Sequence, residues 1–179
     1  MASVDAEPLG PAAATVRRPL RTIVLVAGIT LVLDQLTKWW AVDALSDPPR
    51  TIDLFWTLRF NLLYNRGTAF SLTDNSGPVV SVIAIVVVVV LLRSGRSQRS
   101  PWVLASYGLV VGGTVGNLVD RMFRAGDGFL QGGVVDFVDP QWFPVFNLAD
   151  AALTIGIALL LAAGLFTDAF DEPQPDGAS

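Results

Sequence analysis

The chain has 179 residues, of which 52% are apolar and 16% are charged, and its formal net charge at pH 7 is -4. So apolar a composition is unusual for a soluble domain of this size and indicates a protein that crosses a membrane several times. The absence of cysteine and histidine excludes disulfides, Ser-His-Asp and Cys-His catalysis, and nearly every kind of zinc site. No block of basic residues suggests nucleic acid as a partner.

The two ends of the chain differ in composition from the rest. Residues 1–20 are rich in alanine and proline and lack apolar periodicity, so we expect a disordered cytoplasmic leader there. The Arg17-Arg18 pair permits a twin-arginine or other cleaved signal as an alternative, but the neighbouring residues do not match such a signal. A disordered, acidic cytoplasmic tail is predicted over residues 169–179. Residues 21–168 would then form one membrane domain.

The first predicted membrane helix runs from Thr22 to Val42, long enough at 1.5 Å per residue to cross a hydrocarbon core of about 30 Å. Its Asp34 and Lys38 have the i, i+4 spacing that places them on one helix face. Trp39 and Trp40 would anchor its end at the membrane interface. In one interpretation, Asp34 and Lys38 do no more than neutralise each other and orient the helix. In another, Asp34 supports an active site. A catalytic Lys38 paired with a serine is a third alternative.

The next segment, from Thr51 to Tyr64, is apolar at every even-numbered position and mostly polar at the odd ones. This period of two is typical of a β-strand with one apolar face. We expect a small amphipathic β-element on the outer membrane surface, with its apolar face on lipid or on the helices. It leads into a turn-like cluster at residues 65–70, in which Asn65 either caps the turn or binds the substrate backbone.

Three further apolar segments complete an all-α membrane protein with four transmembrane helices. The second helix has an apolar segment of only 14 residues, Val79 to Leu92, in which Ser81 is the one polar residue, although Gly77 and Ser94 can extend it. The third and fourth are predicted at Trp102 to Val119 and at Val145 to Phe166. The third carries glycines that provide small-residue packing faces, and these are Gly108, Gly112, Gly113 and Gly116.

Arginines indicate the orientation of these helices. Three precede the first helix and three lie between the second and third, and the positive-inside rule places both groups in the cytoplasm. Both termini are then cytoplasmic. The Asp34 end of the first helix, the β-element, Asp120, Asp136 and Asp150 would all lie at the outer face.

Fourteen of the sixteen acidic residues are aspartates, and several are predicted to meet at that outer face. Two carboxylates held close together cannot both ionise cheaply, so one keeps a proton near neutral pH while the other stays charged. Such a pair can activate water and protonate a departing amine without a metal or a covalent nucleophile.

The residue types leave open which two aspartates form this pair. Asp150 ranks first because it lies at the start of the fourth helix. Asp136, in an apolar setting, ranks narrowly ahead of Asp120, whose arginine neighbours suggest a charge-paired helix end. Asp139 precedes a proline and is interpreted as a turn residue.

Five blocks in order along the chain carry a more specific signal. They are DQLTK at 34–38, NRGTAF at 65–70, GGTVGNLVDR at 112–121, VVDF at 134–137 and FNLAD at 146–150. Together they resemble the lipoprotein signal peptidase family, also called signal peptidase II, the aspartic peptidases of the bacterial cytoplasmic membrane. The resemblance extends over roughly residues 31–156.

The resemblance implies removal of the signal peptide from diacylglyceryl-modified prolipoproteins, with cleavage just before the lipid-modified cysteine. It implies that Asp136 and Asp150 are catalytic and that no metal or cofactor takes part. It also implies six residues that line or support the site, namely Asn65, Asn117, Arg121, Asn147, Asp34 and Asp120. Expected partners are lipidated prolipoproteins and membrane lipid, with globomycin-like cyclic peptides as inhibitors of a monomeric enzyme.

Two other functions are compatible with acids in a membrane protein. An intramembrane aspartyl protease of another kind would carry a Gly-x-Gly-Asp motif on a helix, whereas Gly-Asp occurs only at Gly126-Asp127, in a predicted loop. A proton or ion pathway should place acids at several depths. Here they are predicted to cluster at one face.

Overall fold

The structure, a computed structural model, describes residues 11–67, 77–126 and 128–168. Its four helices are α1 (Pro11–Leu45), α2 (Gly77–Ser94), α3 (Pro101–Phe123) and α4 (Leu148–Asp168). Its three strands are β1 (Ile52–Phe55), β2 (Leu58–Asn65) and β3 (Val134–Asp139). The predicted tail, the first ten residues of the predicted leader and residues 68–70 of the second sequence block lie outside the described ranges.

Each helix contains a segment long and apolar enough to cross a membrane. The prediction of four membrane helices is therefore confirmed, and so is the presence of a small β-element. The apolar side chains of α2 point outward to an unusual degree, since Val82, Ile83, Val86 and Val89 are each more than half exposed. Exposure of this kind is expected for a helix whose surroundings are lipid rather than water.

Helices α1 and α4 begin at residues other than those predicted, and α1 and α3 extend past the predicted ends, to Leu45 and Phe123. Helix α1 begins at Pro11, so residues 11–20 are helical rather than irregular. Proline is favoured at the first helical position, and the alanines that follow it have the highest helix propensity. Helix α4 begins at Leu148 rather than Val145, because the backbone of Phe146 exchanges two hydrogen bonds with Val138, of 3.0 and 2.9 Å.

The predicted single strand at residues 51–64 is in fact a hairpin. Strands β1 and β2 are antiparallel and are joined by a tight turn at Trp56 and Thr57, and β3 pairs with the other edge of β2. Trp56 has φ 50°, a left-handed conformation that bulky residues rarely adopt. The turn has no glycine, proline, asparagine or aspartate, so nothing in its sequence marks it.

The sheet packs against the end of α1 through an apolar cluster. Ala41 and Leu45 of α1 are buried against Val135 and Phe137 of β3. The rings of Trp40 and Phe60 meet edge to face, with centroids 5.1 Å apart, and Ile52 and Leu62 border the same cluster. Part of the apolar face of the predicted strand thus lies against protein and fixes the sheet over one end of the helices, whereas Leu54, Trp56 and Tyr64 on the same face are exposed.

Glycines on α3 allow α1 and α4 to approach its backbone. A Cβ atom on Gly116 would collide with the Asp34 carboxylate of α1, and one on Gly113 would collide with the Ala149 carbonyl of α4. Gly112 is similarly close to the backbone of α1. The predicted small-residue faces are therefore confirmed. This close packing gathers the polar ends of three helices beneath the sheet.

Candidate active site

The site residues predicted from the sequence lie together where α1, α3, α4 and the sheet meet. Five of the eight are hydrogen-bonded to one another, and Asp34 and Asp120 are joined to these five through Lys38. The eighth, Arg121, interacts electrostatically with three of the aspartates. The set is Asp34, Asn65, Asn117, Asp120, Arg121, Asp136, Asn147 and Asp150.

Asp136 lies in the middle of β3 and is 1% exposed. Its Oδ1 accepts a hydrogen bond of 2.6 Å from Asn147 Nδ2, and its Oδ2 accepts one of 3.0 Å from Asn65 Nδ2. Burial raises the pKa of Asp136 to about 6, and the charge of nearby Asp150 acts in the same direction, against the two amides and Lys38. This carboxyl group is therefore partly protonated near neutral pH.

Asp150 is held by the geometry of a helix start. Asn147 precedes α4, and its Oδ1 accepts the backbone N–H of Asp150 at 3.0 Å. Asp150 Oδ2 in turn accepts the backbone N–H of Asn147 at 3.1 Å. This reciprocal arrangement is a capping box built from asparagine and aspartate. Asp150 Oδ1 accepts a third hydrogen bond, of 2.8 Å, from Asn117 Nδ2.

Asn147 connects the two carboxylates. It is completely buried, its side chain donates to Asp136 and its backbone donates to Asp150. Its Nδ2 is also 3.2 Å from Asn117 Oδ1. Because one residue holds both carboxylates, a displacement of Asn147 would move them together.

Asn65 has two roles at the end of β2. Its Oδ1 accepts the backbone N–H of Gly67 at 2.9 Å. Asn65 therefore caps the turn, which is one of the two roles considered for it from the sequence. Gly67 has φ 101°, which a residue with a side chain would rarely adopt. Because Oδ1 is occupied in this way, Nδ2 is directed at Asp136.

Beneath the two carboxylates lies a cluster of buried charges centred on Lys38, which is 0% exposed. The predicted pair with Asp34 is present at 2.9 Å. Lys38 Nζ is also 2.9 Å from Asp120 Oδ2 and donates to Asn117 Oδ1 at 2.9 Å. Asp120 pairs in addition with Arg124 at 2.7 Å, in agreement with the prediction of a charge-paired helix end. The contacts of Lys38 with α3 were not predicted, because they depend on how two distant helices pack.

Two further carboxylate contacts tie the elements of the site together. Asp34 Oδ1 accepts the backbone N–H of Ala149 at 3.0 Å, which joins α1 to the first turn of α4. Asp120 Oδ2 accepts the backbone N–H of Val135 at 3.1 Å, which joins α3 to β3. Gln35, which was not among the predicted site residues, donates to Asp34 at 3.1 Å and lies 3.5 Å from Asp120 Oδ1. Asp34 and Asp120 thus each fix the backbone beside one member of the carboxylate pair.

Arg121 borders the pair but is not tied to it by a hydrogen bond. It is 9% exposed, and its Nη1 is buried without a hydrogen-bond partner in the part of the chain that the structure describes. It lines a cleft of about 270 Å³ between α2, α3 and α4. The cleft wall is mainly apolar and includes Val80, Ile83, Val87, Val110, Leu153 and Ile157, with Asn117 and Arg121 among its polar members.

Asp139, the remaining candidate, lies away from the pair at the end of β3. Its Oδ2 accepts hydrogen bonds from Arg59 at 2.8 Å and Asn61 at 3.3 Å, and its Oδ1 accepts the backbone N–H of Gln141 at 2.9 Å. Burial would raise the pKa of Asp139, but these hydrogen bonds outweigh it and lower the pKa below its usual value. Asp139 therefore stays ionised and closes the strand end.

No group of three or more acidic residues within the described ranges could hold a metal ion. The arrangement offers instead two adjacent carboxylates of different character, one buried in a strand and one at a helix start. It also offers a buried guanidinium group beside an apolar cleft. These are the groups that hydrolysis of a peptide bond by an aspartate pair requires.

Comparison with known proteins agrees with this chemistry. Residues 26–166 match the family model described as signal peptidase (SPase) II. The chain belongs to the signal peptidase II family. It is a membrane aspartic peptidase, and its family favours this activity over a proton pathway or another kind of intramembrane protease.

Individual relatives extend the match to most of the chain. A lipoprotein signal peptidase of Rhodococcus jostii is 42% identical over 177 residues, which are 97% of this chain and 85% of the relative. One of Mycobacterium avium is 41% identical over 168 residues, 92% of this chain and 91% of the relative. One of Mycobacterium tuberculosis is 41% identical over 155 residues, 86% and 76% of the two chains.

Two solved structures of bacterial membrane enzymes have the same fold. One has a TM-score of 0.70 at 24% identity and covers 87% of this chain and 94% of its own. The other has a TM-score of 0.66 at 25% identity and covers 80% and 92%. The chain is thus a multi-pass bacterial membrane protein with the architecture of a known class of membrane enzyme.

Proposed function

We propose that Asp136 and Asp150 are the catalytic residues with which this signal peptidase removes the signal peptide from prolipoproteins. Cleavage would occur just before the cysteine that carries the diacylglyceryl group. The observation that carries the assignment is the connection of the two carboxylates through Asn147. Among the aspartates at this end of the protein, these are the two that share that residue, whereas Asp34 and Asp120 are occupied by Lys38.

The pair would act on water and on the scissile amide. When the pair carries one proton, the ionised carboxylate takes a proton from a water molecule. The oxygen of that water molecule at the same time forms a bond to the scissile carbonyl carbon. The protonated carboxyl group gives its proton to the amide nitrogen as the C–N bond breaks, which releases the signal peptide and the new N-terminal amine. The N–H groups of Arg121 are suited to stabilise the oxyanion, because they are buried and one has no other partner among the described residues.

The surroundings of the pair suit a lipid-bound peptide. The apolar cleft beside Arg121 is suited to the hydrophobic part of the signal peptide. Two loops at the sheet each expose an aromatic pair, Phe55-Trp56 at the hairpin turn and Trp142-Phe143 after β3, and Trp56 is 93% exposed. Aromatic residues of this kind favour the lipid interface, so we place the sheet in contact with membrane lipid.

We further propose that the enzyme lies in the bacterial cytoplasmic membrane with the pair near the outer face and both termini in the cytoplasm. The chain would work as a monomer, because both carboxylates and the hydrogen-bond partners described for them come from one chain. Globomycin-like cyclic peptides would inhibit it by occupying the same cleft and the same donors.

Substitution of either aspartate tests the assignment. Asp136→Asn and Asp150→Asn should each lower the rate of cleavage at least about 100-fold, because each removes a general acid or base. The measurement is cleavage of a diacylglyceryl-modified prolipoprotein by purified enzyme in detergent, compared with the unmodified precursor. Asp139→Asn is the matched control and should retain activity, since Asp139 binds Arg59 away from the pair.

Retention of full activity by either Asn variant would remove that aspartate from the mechanism. If Asp120→Asn were the only one of these variants to lose activity, the catalytic role would be reassigned to Asp120. Wild-type activity should also be unchanged by a chelator. Inhibition by a chelator that an added metal reverses would contradict water activation by the carboxylates alone.

A further inference from the structure

We propose that Lys38 is a positioning residue that keeps Asp150 the ionised member of the pair by fixing the side-chain amide of Asn117. The proton shared by the pair then stays on Asp136. This inference rests on the proposed catalytic pair and adds to it a distinction between acid and base, together with a residue that maintains the distinction.

The chemistry of lysine fixes the direction of the Asn117 amide. An ammonium group can only donate hydrogen bonds, so the Asn117 atom that lies 2.9 Å from Lys38 Nζ must be its oxygen. Asn147 Nδ2 is also a donor and approaches the same oxygen at 3.2 Å. The Asn117 nitrogen is therefore turned toward Asp150, 2.8 Å away, and must donate to it.

Asp150 accordingly receives donors on both oxygens. Oδ1 accepts from Asn117, whose amide is polarised by the lysine charge, and Oδ2 accepts from the backbone at the start of α4. The N-terminus of a helix favours negative charge. Asp136 receives two neutral side-chain amides and lies in a buried strand, where burial disfavours ionisation more strongly than the charge of Lys38 favours it. The surroundings thus favour the ionised form of Asp150 and the protonated form of Asp136, as a base and an acid require.

A simpler role for Lys38 would be to neutralise Asp34 and Asp120, which it contacts at 2.9 Å each. That role accounts for two of its three hydrogen bonds. The third is made to the neutral residue Asn117, which gains no charge compensation from it. This third bond is the one that reaches the catalytic pair.

The test compares variants that remove a positive charge from the same cluster. Lys38→Met removes the contact with Asn117 but leaves two buried carboxylates short of a partner, so it can fail to fold. Lys38→Met combined with Asp34→Asn restores the charge balance, because Asp120 and Arg124 remain as a pair. Arg124→Gln is the matched control, since it removes a positive charge and an ion pair from Asp120 without touching Asn117.

The readouts are kcat, KM and the dependence of kcat on pH with a lipidated substrate. The charge-balanced variant should lose about tenfold in kcat with little change in KM, because a hydrogen bond to a charged group is lost. The acid limb of its pH profile should move up by about one pH unit, since the catalytic pair loses the hydrogen bond that the Asn117 amide donates to it. The profile of Arg124→Gln should not move.

Other charged groups near Asp150 must be separated from the effect of Asn117. Within the described residues they are Asp136 on β3, Arg121 and Asp120 on α3, and Lys38 and Asp34 on α1. Asn117→Leu separates them, because it removes the relay and keeps every charge. It should shift the acid limb by itself and should cause no further shift when added to the charge-balanced variant.

A folded, charge-balanced variant with the wild-type pH profile would overturn the inference, and so would shifts that add in the combined variant. The latter would mean that the lysine charge acts on Asp150 directly. Failure of the catalytic assignment itself has a different signature, because Asp136→Asn or Asp150→Asn would then remain active. If the aspartate variants are inactive but the pH profile of the charge-balanced Lys38 variant does not move, only the role of Lys38 is removed.

Discussion

At the scale of single residues, Asp136 should make the folded protein less stable in the pH range where it works. Its folded-state pKa of about 6 lies above the usual value of 3.8. The folded state therefore prefers the protonated form, and the stability from this residue is fully present below pH 3.8 and lost as pH rises through 6. A shift of this size corresponds to about 3 kcal/mol in the free energy of unfolding.

Asp136→Asn, which cannot ionise, should be more stable than wild type at pH 8, and the difference should disappear by about pH 4. Tryptophan fluorescence during thermal unfolding in detergent measures this difference. Asp139→Asn is a control of opposite sign. Because the pKa of Asp139 is lowered in the folded state, this residue stabilises the fold at pH values above its usual pKa. The variant should therefore be less stable than wild type at neutral pH and approach wild type in acid. Equal pH dependence in the two variants would contradict the environments described for them.

Some of these residue properties could be predicted and others could not. The apolar neighbours of Asp136 in the sequence indicated a buried carboxyl group, and the spacing of Asp34 and Lys38 predicted their ion pair. The role of Asn147 depends on a helix that starts three residues later than predicted, so that Asn147 precedes the helix instead of lying within it. The contacts of Lys38 with Asp120 and Asn117 depend on the packing of α1 against α3.

At the scale of secondary-structure elements, the glycine face of α3 should be sensitive to a single added methyl group. Gly116→Ala would push the Asp34 carboxylate from its place and with it the hydrogen bond from Asp34 to the start of α4. We expect a loss of about 1–3 kcal/mol in the free energy of unfolding, as for other overpacked positions. Activity should fall as well, because α4 carries Asp150.

Gly28→Ala provides the matched control for Gly116→Ala. Gly28 also lies in a membrane helix, but among the described residues no atom outside the adjoining backbone of its own helix lies within 4 Å of the position its Cβ would take. This substitution should be neutral or stabilise the helix by up to about 1 kcal/mol. Thermal unfolding and prolipoprotein cleavage of the two variants check the prediction. Equal effects would mean that the methyl group on Gly116 is accommodated without moving Asp34.

The sheet shows how far local patterns determine an element. The period of two in residues 51–64 predicted strand structure and an apolar face, both of which are present. The pattern could not reveal the turn at Trp56, since a left-handed tryptophan has no local signal. Strand β3 was not predicted either, because its six residues are stabilised by pairing with β2, which lies far earlier in the sequence.

At the scale of the whole molecule, the helices place the carboxylate pair at the end opposite residues 95–100, the arginine-rich loop between α2 and α3 that carries Arg96 and Arg99. Helix α3 begins after that loop and ends near Asp120 and Arg121. At the loop end, Gly95 packs on Ile23, near the start of the membrane-crossing part of α1, whereas Gly77 at the other end of α2 packs on the loop before β3. Positive charge in a short loop favours the cytoplasm. The pair should therefore lie at the outer face.

The absence of native cysteines makes this orientation directly measurable, because any introduced cysteine is the only thiol in the protein. Ser46→Cys, after α1, and Ser97→Cys, in the arginine-rich loop, are matched substitutions at exposed positions. In intact cells or spheroplasts, a maleimide that cannot cross the membrane should label the first and not the second. Both should react after the membrane is opened. Labelling of Ser97→Cys alone in sealed cells would invert the topology and place the carboxylates on the cytoplasmic side, where a signal peptide that has crossed the membrane could not reach them.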